Sequence, residues 1–344
     1  MKKNLLLLLI VFLVAAFIQK KEDEPYFYVP KGWPTPVYNF IQNPSTPAKI
    51  RLGRALFYDP ILSRNNTISC ASCHSQYTAF AHIDHKLSHG IEDKIGTRNA
   101  PSLSNLAWNT NFMWDGAIHQ LDAQAIAPIS NPLEMDENLA HVVAKLQASK
   151  VYPALFKEAY GDSIVTGERT LKSISQFMLT LVSANSKYDK IQRNEPGYAY
   201  TESEKKGYKL FQQNCASCHR EPLFTNHNFE NNGLQPDSIL KDVGRMRITL
   251  NKKDSLLFKV PSLRNVEVTA PYMHDGRYAN LSMVLFHYTT TIYPSKSLAK
   301  PLRKKINLTE QDKGDLIAFL KTLTDEEFLR NKRYSYPRSL FLTK

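Results

Sequence analysis

The sequence contains the same five residues, Cys-Ala-Ser-Cys-His, twice, at 70–74 and at 215–219, and these runs contain all four cysteines. In a Cys-x-x-Cys-His run, two thiols attach to the vinyl groups of a haem and the histidine binds its iron. The chain is therefore expected to fold around two large, flat cofactors. The predicted haem-attachment residues are Cys70, Cys73, Cys215 and Cys218, and the predicted iron ligands are His74 and His219.

Two other uses of paired cysteines are open at this point. A zinc site would have to combine ligands from the two runs, because structural zinc takes four ligands. A dithiol redox pair does not need a histidine after each copy. The histidine that follows both copies favours covalent haem over either alternative.

The first 24 residues have the pattern of a secretory signal peptide. Lys2 and Lys3 precede an apolar run at 5–18, and a polar stretch follows at 19–24. The run is short for a membrane span, and no cysteine near its end indicates a lipoprotein anchor. An uncleaved N-terminal anchor is the alternative. Because haem is attached to thiols outside the bacterial cytoplasm, we expect a periplasmic protein, either soluble or tethered.

Length and composition indicate two globular domains after this segment. About 320 residues remain, which is about twice the usual domain length. Hydrophobic residues make up 42% of the chain and charged residues 22%, so substantial cores are expected. The net charge of +12 is spread along the chain without a basic run interleaved with aromatics, which argues against nucleic acid. A basic surface that attracts an acidic redox partner is the preferred interpretation.

Hydrophobic periodicity predicts a mainly α fold. Apolar residues recur at helical spacing at 48–57, 137–149, 167–184 and 309–323, and a capping box at 201–204 begins a helix before the second haem motif. A proline-rich stretch at 25–47 predicts an extended arm on the first domain. We therefore predict two tandem cytochrome c-like domains, each with one covalently bound haem, at 25–190 and 191–344.

An internal repeat extends beyond the haem motifs. PSLSN at 101–105 matches PSLRN at 261–265, and MWDG at 113–116 matches MHDG at 273–276, both at an offset of 160 residues. The same offset relates Tyr288 to Pro128, which has no side-chain donor. If Tyr288 binds the second iron, the first iron has an open position, flanked by Gln124 and Glu134. Met273, Met283 and His287 are the competing ligands of the second iron, and a solvated loop is the alternative for Gln124 and Glu134.

Several motifs in this order resemble the bacterial di-haem cytochrome c peroxidases and the related di-haem enzymes that mature methylamine dehydrogenase. Besides the two haem motifs they are GTRNAP at 96–101, WDG at 114–116, NPLEM at 131–135, LRN at 263–265 and TAPYMHDG at 269–276. The resemblance implies an N-terminal peroxide-reducing haem and a C-terminal electron-transfer haem. A homodimer is common in that family.

The resemblance also implies roles for individual residues. Gln124 and Glu134 match the family's distal pair, and Trp114 matches its residue between the haems. A carboxylate beside the haem suits proton transfer during O–O cleavage. The matched calcium ligands at the domain interface are Asn99, Thr269 and Pro271, whose amide and carbonyl oxygens suit a hard cation.

Two positions depart from the peroxidase pattern. The peroxidases usually have a methionine fourteen residues after the histidine of the His-Asp-Gly motif, where this chain has Tyr288, as in the maturing enzymes. A phenolate stabilises ferric iron, so a lower potential is expected for this haem. In the loop that carries a reductively released histidine in many peroxidases, His85 and His89 are the candidates, and neither has the family position.

Three functions follow from this sequence. The leading one is reduction of hydrogen peroxide to water with electrons from a small redox protein, a cytochrome c or a cupredoxin. The second is oxidation of a protein or other large substrate through a high-valent di-haem state, which Tyr288 favours. The third is plain electron transfer, against which Pro128 argues because both irons would then need two protein ligands.

Overall fold

The described residues, 27–82 and 85–341 of a computed structural model, are mainly helical, which confirms the predicted fold class. The first half contains α1 (Pro47–Tyr58), α2 (Cys70–Cys73), α3 (Leu121–Gln124), α4 (Ile126–Ser130), α5 (Leu139–Ala148), α6 (Tyr152–Tyr160) and α7 (Gly167–Leu179). The second half contains α8 (Lys187–Gln192), α9 (Glu202–Asn214), α10 (Met246–Thr249), α11 (Leu281–Thr290), α12 (Glu310–Lys321), α13 (Glu326–Arg330) and α14 (Arg338–Phe341). Strands β1 (Phe229–Glu230) and β2 (Phe258–Lys259) pair antiparallel.

Short 3-10 helices connect these elements, at Pro60–Leu62, Gln76–Thr78, Ile91–Asp93, Leu106–Trp108, Lys252–Asp254, Val266–Val268 and Lys300–Arg303. The predicted signal peptide or anchor at 1–24 lies outside the described residues. Within the described part of the chain, none of the helices is both long enough and apolar enough to cross a membrane.

Each half is built on a pair of helices that cross at a glycine. In the first half α1 crosses α7 at Gly53, where an added Cβ would lie 1.8 Å from the Ser173 carbonyl oxygen. In the second half α9 crosses α12 at Gly207, where the corresponding distance to the Asp315 carbonyl oxygen is 1.9 Å. The backbones of each pair are therefore closer than any side chain at these two positions would permit.

The two halves repeat the same structure at the offset found in the sequence. The 3-10 helix Leu106–Trp108 recurs as Val266–Val268, and α3 and α11 begin at Leu121 and Leu281, again 160 residues apart. The isolated bridge between Phe112 and Ile118 recurs between Tyr272 and Tyr278. The predicted duplication is confirmed.

Helix α7 ends earlier than its periodicity predicts. The apolar pattern continues to residue 184, but the helix stops at Leu179. The backbone beyond it pairs with Asn105, whose N–H donates to the Leu181 carbonyl (2.8 Å) and whose amide oxygen accepts from the Ser183 N–H (2.9 Å). Long-range hydrogen bonds to this asparagine thus replace the last helical turn.

The two ends of the described chain pack on the first half. In the proline-rich arm, the Pro34 carbonyl accepts a hydrogen bond from the Trp108 indole (2.7 Å), as predicted for an arm lying on this domain. At the other end, the ring of Phe328 on α13 lies 5.9 Å from that of Phe80. The segment after α13 stays on the first half, where the Tyr334 carbonyl accepts from the Tyr58 hydroxyl (2.6 Å).

Candidate haem sites and the region between them

The first haem motif forms the short helix α2 and the residue that follows it. The His74 Nδ1–H donates to the Phe80 carbonyl at 2.7 Å, which leaves Nε2 as the metal-binding atom of the ring. Burial lowers the pKa of His74 to about 4, so the imidazole is neutral at physiological pH. A neutral, oriented imidazole is the form that binds iron.

The second motif follows α9 and arranges its histidine in the same way. His219 Nδ1 lies 3.1 Å from both the Phe224 and the Pro261 carbonyl oxygens. Burial lowers the pKa of His219 as well. Both predicted iron ligands are therefore neutral and present Nε2 as the free ring nitrogen.

The four thiols have environments that fit haem attachment and not thiolate chemistry. Burial raises the pKa of Cys70 and of Cys215 to about 12 and that of Cys73 to about 11. A dithiol redox pair needs a lowered pKa, so this alternative is disfavoured. Among the described residues, no three His, Cys, Asp or Glu side chains are grouped to hold a metal ion, which argues against zinc.

Glu134 lies beside the first motif. Its charge contributes to the raised pKa of both Cys70 and Cys73, and burial raises the pKa of the Glu134 carboxyl itself. The Asn131 amide donates to Glu134 Oε1 at 2.8 Å. One carboxylate oxygen is thus held by the protein, while Oε2 is left for proton exchange.

The loop at 88–91 packs directly against Glu134. The Ile91 N–H donates to the Glu134 carbonyl at 2.7 Å, and a Cβ at Gly90 would lie 2.5 Å from the Glu134 Cα. Two histidines accompany this loop: the rings of His85 and His89 lie 4.3 Å apart, and His89 Nδ1 donates to Asp93 at 2.7 Å. The His89 carbonyl also accepts from the Cys73 thiol at 3.5 Å. Both candidate loop histidines therefore lie near the first haem motif.

Gln124 and Pro128 belong to the interrupted helix α3–α4. The Gln124 amide contacts the sulfur of Met113, the residue before Trp114, at 3.8 Å. Pro128 lies in the middle of α4 (Ile126–Ser130). Because proline has no N–H to donate to the carbonyl of residue 124, the helix divides here into two short pieces.

The second motif opens onto a cavity of about 280 Å³ that Tyr288 also lines. Cys215, Cys218 and His219 form part of the same wall. Burial raises the pKa of Tyr288 to about 12. The phenol on α11 and the imidazole of the second motif thus face one cavity, which is what a pair of axial ligands requires.

The competing ligands Met273, Met283 and His287 are turned away from this cavity or already have hydrogen-bond partners. Met283 is 41% exposed to solvent. His287 Nε2 donates to the Asn232 carbonyl (3.0 Å), and its Nδ1 lies 3.1 Å from the Thr291 hydroxyl. Met273 lines the cavity, and its sulfur accepts from the Asn232 amide at 3.3 Å. On α11, Tyr288 is therefore the candidate whose donor atom faces the second motif.

Trp114 lines the same cavity at the junction of the two halves. Its indole N–H donates to the Asn99 carbonyl at 2.8 Å. The next residue, Asp115, is completely buried and pairs with Arg98 (2.7 Å) and with Arg247 of the second half (3.0 Å). This network fixes the indole at the junction of the two halves, in the cavity of the second motif.

The three predicted calcium ligands line this cavity as well. The first half supplies Asn99, the second half supplies Thr269 and Pro271, and all three line this cavity. The Asn99 amide nitrogen donates to the Lys86 carbonyl (3.1 Å), so the amide oxygen remains for a cation. An amide oxygen with backbone carbonyls is a suitable donor set for Ca²⁺. The residues present fit this ion, and the assignment stays a prediction.

Sequence reasoning missed Lys259, which also lines the cavity. Its ammonium donates to the Asn111 carbonyl at 3.2 Å, and burial lowers its pKa to about 8. A signal was present, because Lys259 is the residue that the offset of 160 pairs with Asn99.

Comparison with known proteins agrees with this arrangement. The family described as di-haem cytochrome c peroxidase matches residues 47–197, and the cytochrome c family matches residues 204–324. Methylamine utilization protein MauG of Methylorubrum extorquens is 36% identical over 295 residues, which cover 83% of this chain and 80% of that protein. The chain belongs to the di-haem cytochrome c peroxidase family.

Other family members lead to the same assignment. Cytochrome c551 peroxidase of Nitrosomonas europaea is 35% identical over 282 residues, which cover 80% of each chain. Among solved structures, a MauG-like protein associated with microbial copper homeostasis has a TM-score of 0.81 and 32% identity, over 90% of this chain and 98% of that one. The protein is thus an oxidoreductase with two cytochrome c-like domains, which imply two c-type haems.

Proposed function

We propose that this family member is a periplasmic peroxidase that reduces hydrogen peroxide to water at the first haem. Electrons enter at the second haem from a small redox protein, a cytochrome c or a cupredoxin. The observation that carries this proposal is the partly buried Glu134 carboxyl beside the first motif. It lies in the half whose helix has Pro128 where the other half has Tyr288.

When bound, the haems supply redox-active irons, the first for peroxide and the second for incoming electrons. Glu134 supplies the proton transfer that O–O cleavage needs. Its Oε2 accepts the proton of the bound peroxide and returns it to the departing oxygen, while Asn131 holds Oε1. Burial raises the pKa of this carboxyl, which makes it a weaker acid and so a better proton acceptor than an exposed glutamate. Gln124 positions the peroxide or a water molecule.

Trp114 and Tyr288 serve the electron-transfer side of the same proposal. The Trp114 indole, fixed by its hydrogen bond to Asn99, supplies an oxidisable ring between the two motifs. The Tyr288 phenol and the His219 imidazole, which line one cavity, would hold the second iron. Asn99, Thr269 and Pro271 would hold a calcium ion at the junction of the two halves, which would help to keep the halves together.

The direct test is turnover of the haem-loaded protein with hydrogen peroxide and a reduced small cytochrome c. We expect oxidation of two cytochromes per peroxide consumed, because the reduction of peroxide to water takes two electrons. Absence of cytochrome oxidation by a protein with both haems attached would contradict the proposed donor. Peroxide consumption that Glu134→Gln leaves unchanged would contradict the proposed site.

A second candidate function is oxidation of a protein substrate, which would replace the redox protein as the source of electrons. Tyr288 at the second cavity favours it, because a phenolate ligand lowers the potential and makes reduction by a cytochrome less favourable. Relatives named for methylamine utilization and for copper homeostasis point the same way. Peroxide-dependent mass change in a candidate protein substrate, without cytochrome turnover, would select this function.

A further inference from the structure

The interface between the halves has a pseudo-twofold symmetry that the offset of 160 makes visible. The Asn99 N–H donates to the His274 carbonyl, and the Lys259 N–H donates to the Trp114 carbonyl, both at 2.7 Å. Asn99 and Lys259 are equivalent positions, and so are Trp114 and His274. The two backbone hydrogen bonds across the interface are therefore equivalent: in each, a residue of one half donates to the carbonyl before the Asp-Gly pair of the other half.

The same symmetry relates Lys259 to the predicted calcium ligands. The first set is the Asn99 side chain with the carbonyls of Thr269 and Pro271. The equivalent set is the Lys259 side chain with residues Asn109 and Asn111. The Lys259 ammonium donates to the Asn111 carbonyl at 3.2 Å, the carbonyl that corresponds to that of Pro271. In this second set the cation is therefore a side chain of the protein, whereas in the first set it would be a bound calcium ion.

The charge of this ammonium is not balanced locally. No carboxylate among residues 27–82 and 85–341 lies within ion-pair distance of it, and burial alone accounts for its lowered pKa of about 8. At neutral pH it is still mostly protonated. Its charge reaches His227, whose pKa it lowers and which lines the same cavity. A buried cation stabilises the reduced state of a neighbouring redox centre, because its field is weakly screened there.

We propose that Lys259 is a positioning residue. Its ammonium holds the backbone of residues 109–114 in place, as a calcium ion would hold the backbone of residues 269–274. It fixes the backbone that leads to Trp114 and places a positive charge at the cavity of the second haem motif. One cation of the pseudo-symmetric pair is thus exchangeable and the other is covalently part of the chain. The comparison uses the proposed calcium site, but the role of Lys259 does not depend on the peroxide reaction.

The test compares Lys259→Met, which keeps the length and removes the charge, with Lys259→Arg, which keeps the charge. Both are made in the full haem-loaded protein, and Lys253→Met serves as the control at an exposed lysine. Redox titration followed by visible spectroscopy gives the midpoint potential of each haem. We expect Lys259→Met to lower the potential of the second haem, while Lys259→Arg and Lys253→Met remain near wild type. An unchanged second-haem potential in Lys259→Met with both haems attached would overturn the proposal.

A second variant tests the equivalence with calcium. Lys259→Asn places an amide oxygen at the position equivalent to Asn99, so we expect one more Ca²⁺ per chain than in wild type, measured by elemental analysis after gel filtration. No gain of calcium would refute the equivalence. This variant also keeps the proposal testable if Lys259→Met does not fold. Potentials and metal contents are measured on the resting protein, so failure here is distinguishable from failure of the peroxide reaction.

Discussion

The two halves of this protein share a scaffold and differ at the few positions that decide what each haem does. Tyr288 in the second half corresponds to Pro128 in the first. At two other positions it is the first half that has the polar residue: Gln124 and Glu134 correspond to Val284 and Pro294 in the second half. At these positions the second half thus has a phenol and two apolar residues, and the first half has a proline and two polar side chains. Duplication supplied two haem sites, and the proposed function assigns electron transfer to one and peroxide chemistry to the other because of these few side chains.

The difference also extends to the backbone. The second half has the continuous helix α11, which presents Tyr288 to the cavity. In the first half the equivalent residues form α3 and α4, divided where Pro128 cannot donate a backbone hydrogen bond. The proline that takes the place of the candidate ligand therefore also changes the helix that would have carried it.

The largest expected effect is on the scaffold that both halves share. Gly53→Ala or Gly207→Ala would place a Cβ less than 2 Å from a backbone carbonyl oxygen, so we expect each to destabilise its half by about 3 kcal/mol or more. Gly314→Ala is the matched control on α12, because nothing lies within 4 Å of its Cβ and alanine is the better helix former. Thermal unfolding of the haem-loaded proteins checks this, and a fall for Gly314→Ala equal to the others would contradict it.

The second effect concerns the first half alone. Glu134→Gln removes the proton-transferring carboxylate but keeps the shape and the Asn131 contact, so we expect the rate with peroxide to fall about 100-fold, or about 2.7 kcal/mol. Stopped-flow measurement gives the rate, and Glu158→Gln, at an exposed carboxylate, is the control. Near-normal turnover in Glu134→Gln would remove this residue from the mechanism.

A third effect concerns the second half alone. Tyr288→Met replaces a phenolate by a thioether, which favours ferrous iron, so we expect a higher midpoint potential for the second haem and no change in the first. Tyr293→Met, at an exposed tyrosine nearby, should leave both potentials unchanged. If both variants behave alike in a redox titration, Tyr288 is not a ligand.

The smallest expected effect is a pH dependence of the first half. Burial raises the pKa of Glu134, and the carboxylate form is the one that accepts a proton from peroxide. The rate with peroxide should therefore fall as the pH is lowered through this raised pKa, and Glu134→Gln should lose that dependence. A pH profile identical in the two proteins would assign the titration to another group.

The sequence predicted those parts of the fold that depend on local pattern. The capping box that begins at Thr201 correctly indicated where α9 begins, and the repeat indicated which residues are equivalent. It did not predict that α7 stops early, because Asn105 and the backbone of Ser183 are far apart in sequence. The return of α13 to the first core depends on the same kind of distant contact.

The candidate site was predictable to a similar extent. Spacing and offset both pointed to Tyr288, and this side chain does line the cavity of the second motif. Lys259 was missed because a single lysine has no local signature, and its partner carbonyl at Asn111 is 148 residues away. The importance of its position becomes apparent only from the pseudo-symmetry of the interface, which makes Lys259 equivalent to Asn99.

The most direct test of this account is the number of cyanide ions that the ferric, haem-loaded protein binds. Cyanide needs an iron with an open position. If Pro128 leaves the first iron open and Tyr288 closes the second, visible titration should give one cyanide per chain in wild type and in Tyr293→Phe, and two in Tyr288→Phe. Two cyanides in wild type, or none, would contradict the assignment of one open and one closed haem.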